Sequence, residues 1–208
     1  MILAIGLYIA CELIANITAG KPVVVGPLVV PAGVFVYALT FTLLDLINER
    51  LGKFHTRRVI AAGFAANLLL AAYVQMTVWL PAPPFFEAQP AFARVLGATP
   101  RVVTASLLAY LTSALMDAEI FAWWRTHVGG YRWLRVLASN GVSTGVDSAV
   151  FVTLAFAGTG LPLGVLIAGQ YAVKMGVTLV SLPLIYLIRG ASLRDRRSAK
   201  RSALSGGA

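Results

Sequence analysis

Six long apolar segments constrain this chain more than any other feature of its sequence. Each is close to the ~20 residues that an α-helix needs to cross the hydrocarbon core of a bilayer. Most are apolar all round rather than along one stripe, which is typical of helices that lie in lipid or inside a bundle. We therefore predict an all-α membrane protein with six transmembrane helices. The predicted spans are residues 1–19, 28–47, 59–80, 102–122, 139–157 and 163–188.

The composition favours the same class of protein. Charged residues make up only 12% of the chain, and its mean hydropathy is +0.81. A soluble domain carries about 25% charged residues, so a soluble fold is disfavoured. We expect one six-helix transmembrane domain over residues 1–190, followed by a basic, disordered cytoplasmic tail over residues 191–208.

The basic residues predict the orientation in the membrane. Four lie at 50–58, three at 125–135 and six at 189–201, which together are thirteen of the seventeen Lys and Arg. With six spans, these clusters share one side of the membrane, and only Lys21, Arg94 and Arg101 face the other. By the positive-inside rule both termini are cytoplasmic. The net charge of +9 then needs no nucleic-acid partner, and we expect a multi-pass protein of the inner (plasma) membrane, in contact with the lipid bilayer.

Polar side chains recur at helical spacing within these apolar segments. In the second segment three of them fall at i, i+3 and i+4, so they share one helix face. Similar stripes run along the last three segments. The members are Asp45, Asn48 and Glu49; Ser106, Tyr110, Ser113 and Asp117; Asn140, Ser143, Thr144 and Asp147; and Gln170, Lys174 and Thr178.

Ionisable groups inside a membrane are costly, about 2.5–3.5 kcal/mol each on insertion scales, and are functional by default. Asp45, Asp117 and Asp147 lie on three different spans at a similar predicted depth, in the cytoplasmic half, which indicates a shared polar cavity. Lys174 is the only cation available to these three carboxylates within the predicted spans. The alternative is that one Asp pairs with Lys174 only to hold helices together. Glu12 could line the outer half of a pathway or stabilise a helix contact.

Motifs for covalent chemistry are absent from the sequence. It contains no H-E-x-x-H, no G-x-S-x-G and no phosphate-binding P-loop. His55 and His127 fall in predicted loops, which suits a metal site poorly, and Cys11 has no partner for a disulfide. We therefore predict neither an enzyme nor a metal or cofactor site. Nor is there a stretch that looks like a channel filter. A carrier with a central polar cavity fits best.

Several short motifs follow one another in a fixed order over residues 10–188. They are Pro31-Ala32-Gly33 with Phe35; Phe41, Asp45, Asn48, Glu49 and Gly52 followed by Arg57-Arg58; Ser113, Asp117 and Phe121; Trp133-Leu134-Arg135; and Ser139, Asp147-Ser148, Phe151, Lys174 and Pro183. Each motif is weak alone, but their order and spacing together are specific. In this order and spacing the chain resembles the vitamin uptake transporter family of queuosine-precursor transporters.

This resemblance implies a fold similar to the substrate-binding subunits of energy-coupling-factor transporters. It also implies uptake of 7-cyano-7-deazaguanine, 7-aminomethyl-7-deazaguanine or a related heterocycle. A carboxylate can accept two N–H bonds from the edge of such a ligand, and aromatic rings can stack on its faces. The predicted substrate site comprises Phe41, Asp45, Asn48, Glu49, Tyr110, Ser113, Asp117, Asn140, Asp147 and Lys174.

Two other functions stay open at this point. The chain could be the substrate-binding subunit of an energy-coupled vitamin uptake complex, with the small residues Ala15 and Ala19 docking a partner helix. It could instead be a structural membrane protein whose polar stripes only satisfy one another. A homodimer is compatible with the spacing of Gly141 and Gly145, which would equally serve packing within the chain.

Overall fold

The computed structural model describes residues 1–127, 132–177 and 179. Within these ranges the side chains of Asp45, Asp117, Ala118, residues 121–122, residues 124–127 and residues 132–140 are not described. The chain divides into two compact units, Met1–Lys174 and Met175–Ala208. The predicted tail, residues 191–208, lies outside the described part, as does most of the second unit.

The described chain is mostly helical, as the hydropathy predicts. By length and composition alone, Leu46–Trp79 and Gln89–Met116 are each long and apolar enough to cross a membrane, and the other apolar helices are shorter. In chain order the elements are α1 (Ile2–Thr18), β1 (Pro22–Val25), β2 (Leu28–Pro31), α2 (Gly33–Trp79), α3 (Gln89–Leu96), α4 (Thr99–His127), α5 (Arg132–Phe156) and α6 (Leu163–Val177).

Helix α2 is two helices that meet at Gly52. The backbone there has φ 78° and ψ 167°, a conformation essentially restricted to glycine. Before the break, Gly33 lies against Ala15 of α1. After it, Asn67 hydrogen-bonds to the next residue of α1, Asn16, so the chain reverses direction at Gly52. We call residues 33–51 the first arm and residues 53–79 the second arm. The first arm therefore continues past the end of the predicted span at residue 47, and the second arm starts directly after Gly52 rather than at Val59.

A two-stranded hairpin replaces the loop predicted after the first helix. Strands β1 and β2 pair antiparallel, with Val25 opposite Leu28. The two turn residues are Gly26, at φ 56°, and Pro27, and a glycine with positive φ at the first position is what a two-residue hairpin turn requires. Pro31 therefore ends a strand, whereas the predicted span 28–47 placed it in the first turn of a helix.

The connection between the predicted spans 59–80 and 102–122 also contains structure. Helix α3 begins at Gln89 with Pro90 in its first turn, a position where the missing N–H of proline costs nothing. After it, Arg101 near the start of α4 donates to the carbonyl oxygens of Leu154 and Ala157, at 2.7 and 2.6 Å. These are among the last carbonyls of α5, which have no partner inside their own helix. Arg101 thus ties the start of α4 to the end of α5.

Two apolar clusters hold the first unit together. One joins α1 to both arms of α2 close to Gly52, and it is centred on Tyr8, Ile47 and Val59. The other joins α4, α5 and α6, where Val103 and Val152 are fully buried in their helices and Leu166 of α6 packs into the same cluster.

Candidate functional site

A cavity lies where α1, the first arm of α2, α4, α5 and α6 converge beneath the hairpin. The space inside it that a water-sized molecule can occupy is about 30 Å³, so the cavity is narrow in this conformation. Most of the wall is apolar and small, and a few polar groups project into it. The lining residues are Ala15, Asn16, Ala19, Pro31, Gly33, Val34, Tyr37, Ser106, Ala109, Asp147, Phe151, Gln170 and Lys174.

A buried ion pair forms the charged part of the cavity wall. The Lys174 ammonium on α6 donates to Oδ2 of Asp147 on α5. Their side chains are only 6% and 13% exposed. The Lys174 Nζ also lies 4.9 Å from the ring centroid of Tyr37, within the range of a cation–π interaction. Three different elements therefore converge on one ammonium group.

Glu12 brings a second carboxylate to this group. It is half-buried on α1, one turn before Asn16, and it interacts electrostatically with both Lys174 and Asp147. Its charge also reaches the hydroxyls of Tyr8, Tyr37 and Tyr110. Glu12 does not line the cavity itself, so two carboxylates and one ammonium lie in or near it, and their net charge is negative when all three are ionised.

A hydrogen bond between two asparagines fixes the wall on the side of α1. The Asn16 amide nitrogen donates to Oδ1 of Asn67 at 2.7 Å, and the Asn67 amide nitrogen donates to the carbonyl of Gly63 at 3.0 Å. Asn67 is only 1% exposed, and both its amide oxygen and its amide nitrogen are hydrogen-bonded within the protein. This bond links α1 to the second arm of α2 and sets the position of Asn16 in the cavity.

Two buried polar atoms have no hydrogen-bond partner within the described part of the chain. They are the Ser148 hydroxyl oxygen and the Gln170 carbonyl oxygen Oε1. Of these two residues only Gln170 lines the cavity, one helical turn before Lys174. An unsatisfied buried acceptor costs about 1–3 kcal/mol, so its position beside the cavity needs a reason.

Close backbone contacts at two glycines position the hairpin over the cavity. A Cβ on Gly169 of α6 would lie 2.2 Å from the carbonyl oxygen of Val29 in β2. A Cβ on Gly33, at the start of α2, would lie 2.2 Å from the carbonyl oxygen of Ala15. Only glycine permits both approaches. The first packs α6 closely against the hairpin, and the second packs the start of the first arm closely against α1.

The structure brings some of the predicted site residues together. Asp147 and Lys174 form the ion pair. Tyr110 lies one turn beyond Ser106 on α4, and its ring packs edge-on against Phe64 with centroids 5.2 Å apart. The Ser113 hydroxyl donates to the Tyr110 carbonyl at 3.0 Å. Phe41 is 40% exposed and is not among the lining residues, but its ring packs edge-on against that of Tyr37 with centroids 5.4 Å apart.

Other predicted residues lie further along their helices. Asn48 lines a separate, shallower pocket near Gly52, where it accepts a 3.5 Å hydrogen bond from the Thr56 hydroxyl. Asn48 and the next residue, Glu49, are both exposed. At 1.5 Å per residue, the backbone of Asp45 is about 12 Å along the first arm from Tyr37. The side chains of Asp45, Asp117 and Asn140 lie outside the described residues, so a cavity shared by all three aspartates stays a prediction.

Several cavity residues were absent from the predicted site. Gln170 and Ser106 stood on the polar stripes of α6 and α4, and this position was the signal that could have selected them. Asn16 and Tyr37 gave weaker signals, since a single Asn or Tyr is common in membrane helices. Among the described residues, no three His, Cys, Asp or Glu side chains are placed to share a metal ion.

Comparison with known proteins yields one family and one relative that bear on this geometry. A family model described as "Putative vitamin uptake transporter" matches residues 31–188. A Bacillus subtilis (strain 168) protein named "Probable queuosine precursor transporter" is 31% identical over 191 residues, which cover 89% of this chain and 82% of the relative. No solved structure matches the chain.

Proposed function

This chain belongs to the vitamin uptake transporter family, and on that premise we propose that it imports queuosine precursors across the inner membrane. The substrate class is suggested by the relative that carries this activity in its name and aligns over most of both chains. The precursors we propose are 7-cyano-7-deazaguanine and 7-aminomethyl-7-deazaguanine. Transport involves no covalent change to the substrate, in keeping with a chain that lacks catalytic motifs.

The single observation that carries this proposal is the cavity with its buried Asp147–Lys174 ion pair. A deazaguanine is planar, with N–H donors and a carbonyl acceptor on its edge. The Asp147 carboxylate can accept N–H bonds, and the Lys174 ammonium can donate to the carbonyl. Tyr37 and Phe151 supply aromatic rings on the cavity wall. Polar groups at few, fixed positions in an apolar cavity are typical of specific small-molecule sites.

The proposed topology has six spans: α1, the two arms of α2, α4, α5 and α6 with its continuation. Both termini are cytoplasmic, and residues 1–190 form the membrane domain. The reversal at Gly52 supports this arrangement, because Arg50, Lys53 and Arg57 surround it on what would be the cytoplasmic side. The hairpin and α3 then lie at the external side, which places the cavity within reach of the periplasmic or extracellular space.

The alternative function, a subunit of an energy-coupled complex, was supported in the sequence by two small residues that could dock a partner helix. The structure removes that support. Ala15 and Ala19, which could have docked a partner helix, are 5% and 4% exposed and line the chain's own cavity. Similarly, a Cβ on Gly141 would lie 3.9 Å from the Tyr171 hydroxyl of α6, and a Cβ on Gly145 would lie 3.7 Å from the Tyr171 ring. That spacing is therefore used within the chain, and a homodimer stays a prediction without support from it.

Binding to the purified protein tests the proposal. Both deazaguanines, guanine and a panel of vitamins are added to wild type, to Asp147→Asn and to a matched control, Glu87→Gln. Glu87 is an exposed carboxylate outside the cavity. At a hundredfold excess over Kd a ligand stabilises its protein by about 2.7 kcal/mol, which is readily seen as a thermal shift. We expect a shift with the deazaguanines in wild type and in Glu87→Gln, and none in Asp147→Asn. If the wild-type protein shows no thermal shift with either deazaguanine, the proposal is refuted.

A further inference from the structure

Among the described residues that line the cavity, Gln170 is the one with a buried side-chain atom that lacks a hydrogen-bond partner. It is 3% exposed, and its Oε1 accepts no hydrogen bond from the described part of the chain. The Ser148 hydroxyl likewise finds no partner in the described part of the chain, but Ser148 does not line the cavity. A ligand in the cavity that brings an N–H to this acceptor would remove the cost of leaving it unpaired.

The position of Gln170 is set by its neighbours rather than by its own contacts. The preceding residue, Gly169, has its backbone against the Val29 carbonyl of the hairpin, in an approach that no Cβ would allow. One turn later, Lys174 is held by Asp147. The carboxamide therefore lies between two fixed points of α6, on the same helix face as the ion pair.

We infer that Gln170 determines specificity by pairing with the lactam edge of the substrate, the adjacent ring N–H and C=O. A glutamine side chain offers one carbonyl acceptor and an NH₂ donor side by side. A lactam offers the reverse pattern at the same spacing, so two parallel hydrogen bonds can form. This inference rests on the proposed function, because the deazaguanine precursors carry such an edge. It predicts that heterocycles with an amino group in place of the lactam carbonyl are rejected.

The test compares two ligands on three proteins. The ligands are 7-cyano-7-deazaguanine and its N1-methyl analogue, which has no lactam N–H. The proteins are wild type, Gln170→Leu and the control Gln75→Leu, whose glutamine lies half-buried on the second arm, away from the cavity. Binding is measured on full-length protein, together with the unfolding temperature without ligand.

We expect wild type and Gln75→Leu to bind the parent ligand at least about tenfold more tightly than the methylated one. Gln170→Leu should lose this preference. Without ligand it should unfold at the same temperature as wild type or higher, because an unpaired buried acceptor has been replaced by an apolar group. A residue that only supported the fold would instead lower the unfolding temperature.

The inference is overturned if wild type binds the parent ligand and Gln170→Leu retains both the affinity and the preference. That outcome would leave the proposed function intact and would indicate that Oε1 is satisfied by water. If Gln170→Leu does not fold, equal binding of the two ligands by wild type overturns the inference. A wild type that binds neither ligand contradicts the proposed function, and the inference with it.

Discussion

Removing one partner of the Asp147–Lys174 pair should destabilise the protein strongly and unequally. Both side chains are nearly buried, so a lone charge would remain in a poorly solvated site. Breaking a buried pair from one side typically costs about 3–5 kcal/mol. The unequal part comes from Glu12, which interacts with both members of the pair.

The net charge of the three groups fixes the expected order of the variants. With all three ionised, the trio carries a charge of minus one. Asp147→Asn leaves Glu12 and Lys174, which still attract each other. Lys174→Met leaves two carboxylates that repel and share no cation from this trio. We therefore expect Lys174→Met to lie at the upper end of the range and Asp147→Asn at the lower end.

The double variant completes the cycle. Asp147→Asn with Lys174→Met removes both charges of the pair, and it should lose less stability than Lys174→Met alone, because replacing a whole buried pair is often close to neutral. The free energy of unfolding would be measured by titration with SDS in mixed micelles. Arg94→Gln serves as the control, since Arg94 is exposed and bonds only its own helix at Pro90. The reasoning would be refuted if each single variant lost less than about 1 kcal/mol of unfolding free energy and the double variant lost the sum of the two.

Three further predictions concern contacts that shape the cavity. Asn67→Leu should cost about 1 kcal/mol in the same titration, because Asn16 loses its acceptor across the helix interface, and Asn16→Leu in the Asn67→Leu background should cost less than it does alone. Gly52→Ala should lower the free energy of unfolding by about 1–3 kcal/mol, since its backbone conformation is essentially restricted to glycine; an unchanged value would mean that the reversal does not need this conformation. Gly169→Ala should abolish ligand binding as well as lower stability, because its Cβ would collide with the Val29 carbonyl; normal binding would show that the hairpin does not close the cavity.

The helical part of the fold follows from hydropathy, whereas the hairpin does not. Leu28, Val29 and Val30 are apolar, so they merge with the apolar run that follows and read as the start of a helix. The signals for strands were present as well: a run of β-branched valines on each side of a Gly-Pro turn. These signals were outweighed because a short apolar segment is compatible with both a helix and a strand. In α3, Pro90 was a helix-start signal inside a stretch that its other prolines marked as loop.

The site was accessible from the sequence only in its charged part. Asp147 and Lys174 stand out because ionisable residues are rare in membrane segments. Which partners they meet depends on how the helices pack, and helix periodicity gives no information on that. Asn16 and Asn67 are far apart in the sequence, and their contact follows from the reversal at Gly52. The importance of Gln170 rests on a missing partner, which only a three-dimensional structure can show.

The most direct test of the central claim is uptake by the purified chain alone. The protein would be reconstituted into liposomes, and entry of labelled 7-cyano-7-deazaguanine would be followed over time against empty liposomes and against Gln170→Leu. The account predicts saturable entry that unlabelled 7-aminomethyl-7-deazaguanine competes away, with a clear loss in the variant. Entry no faster than in empty liposomes, from protein that is folded and correctly inserted, would contradict it.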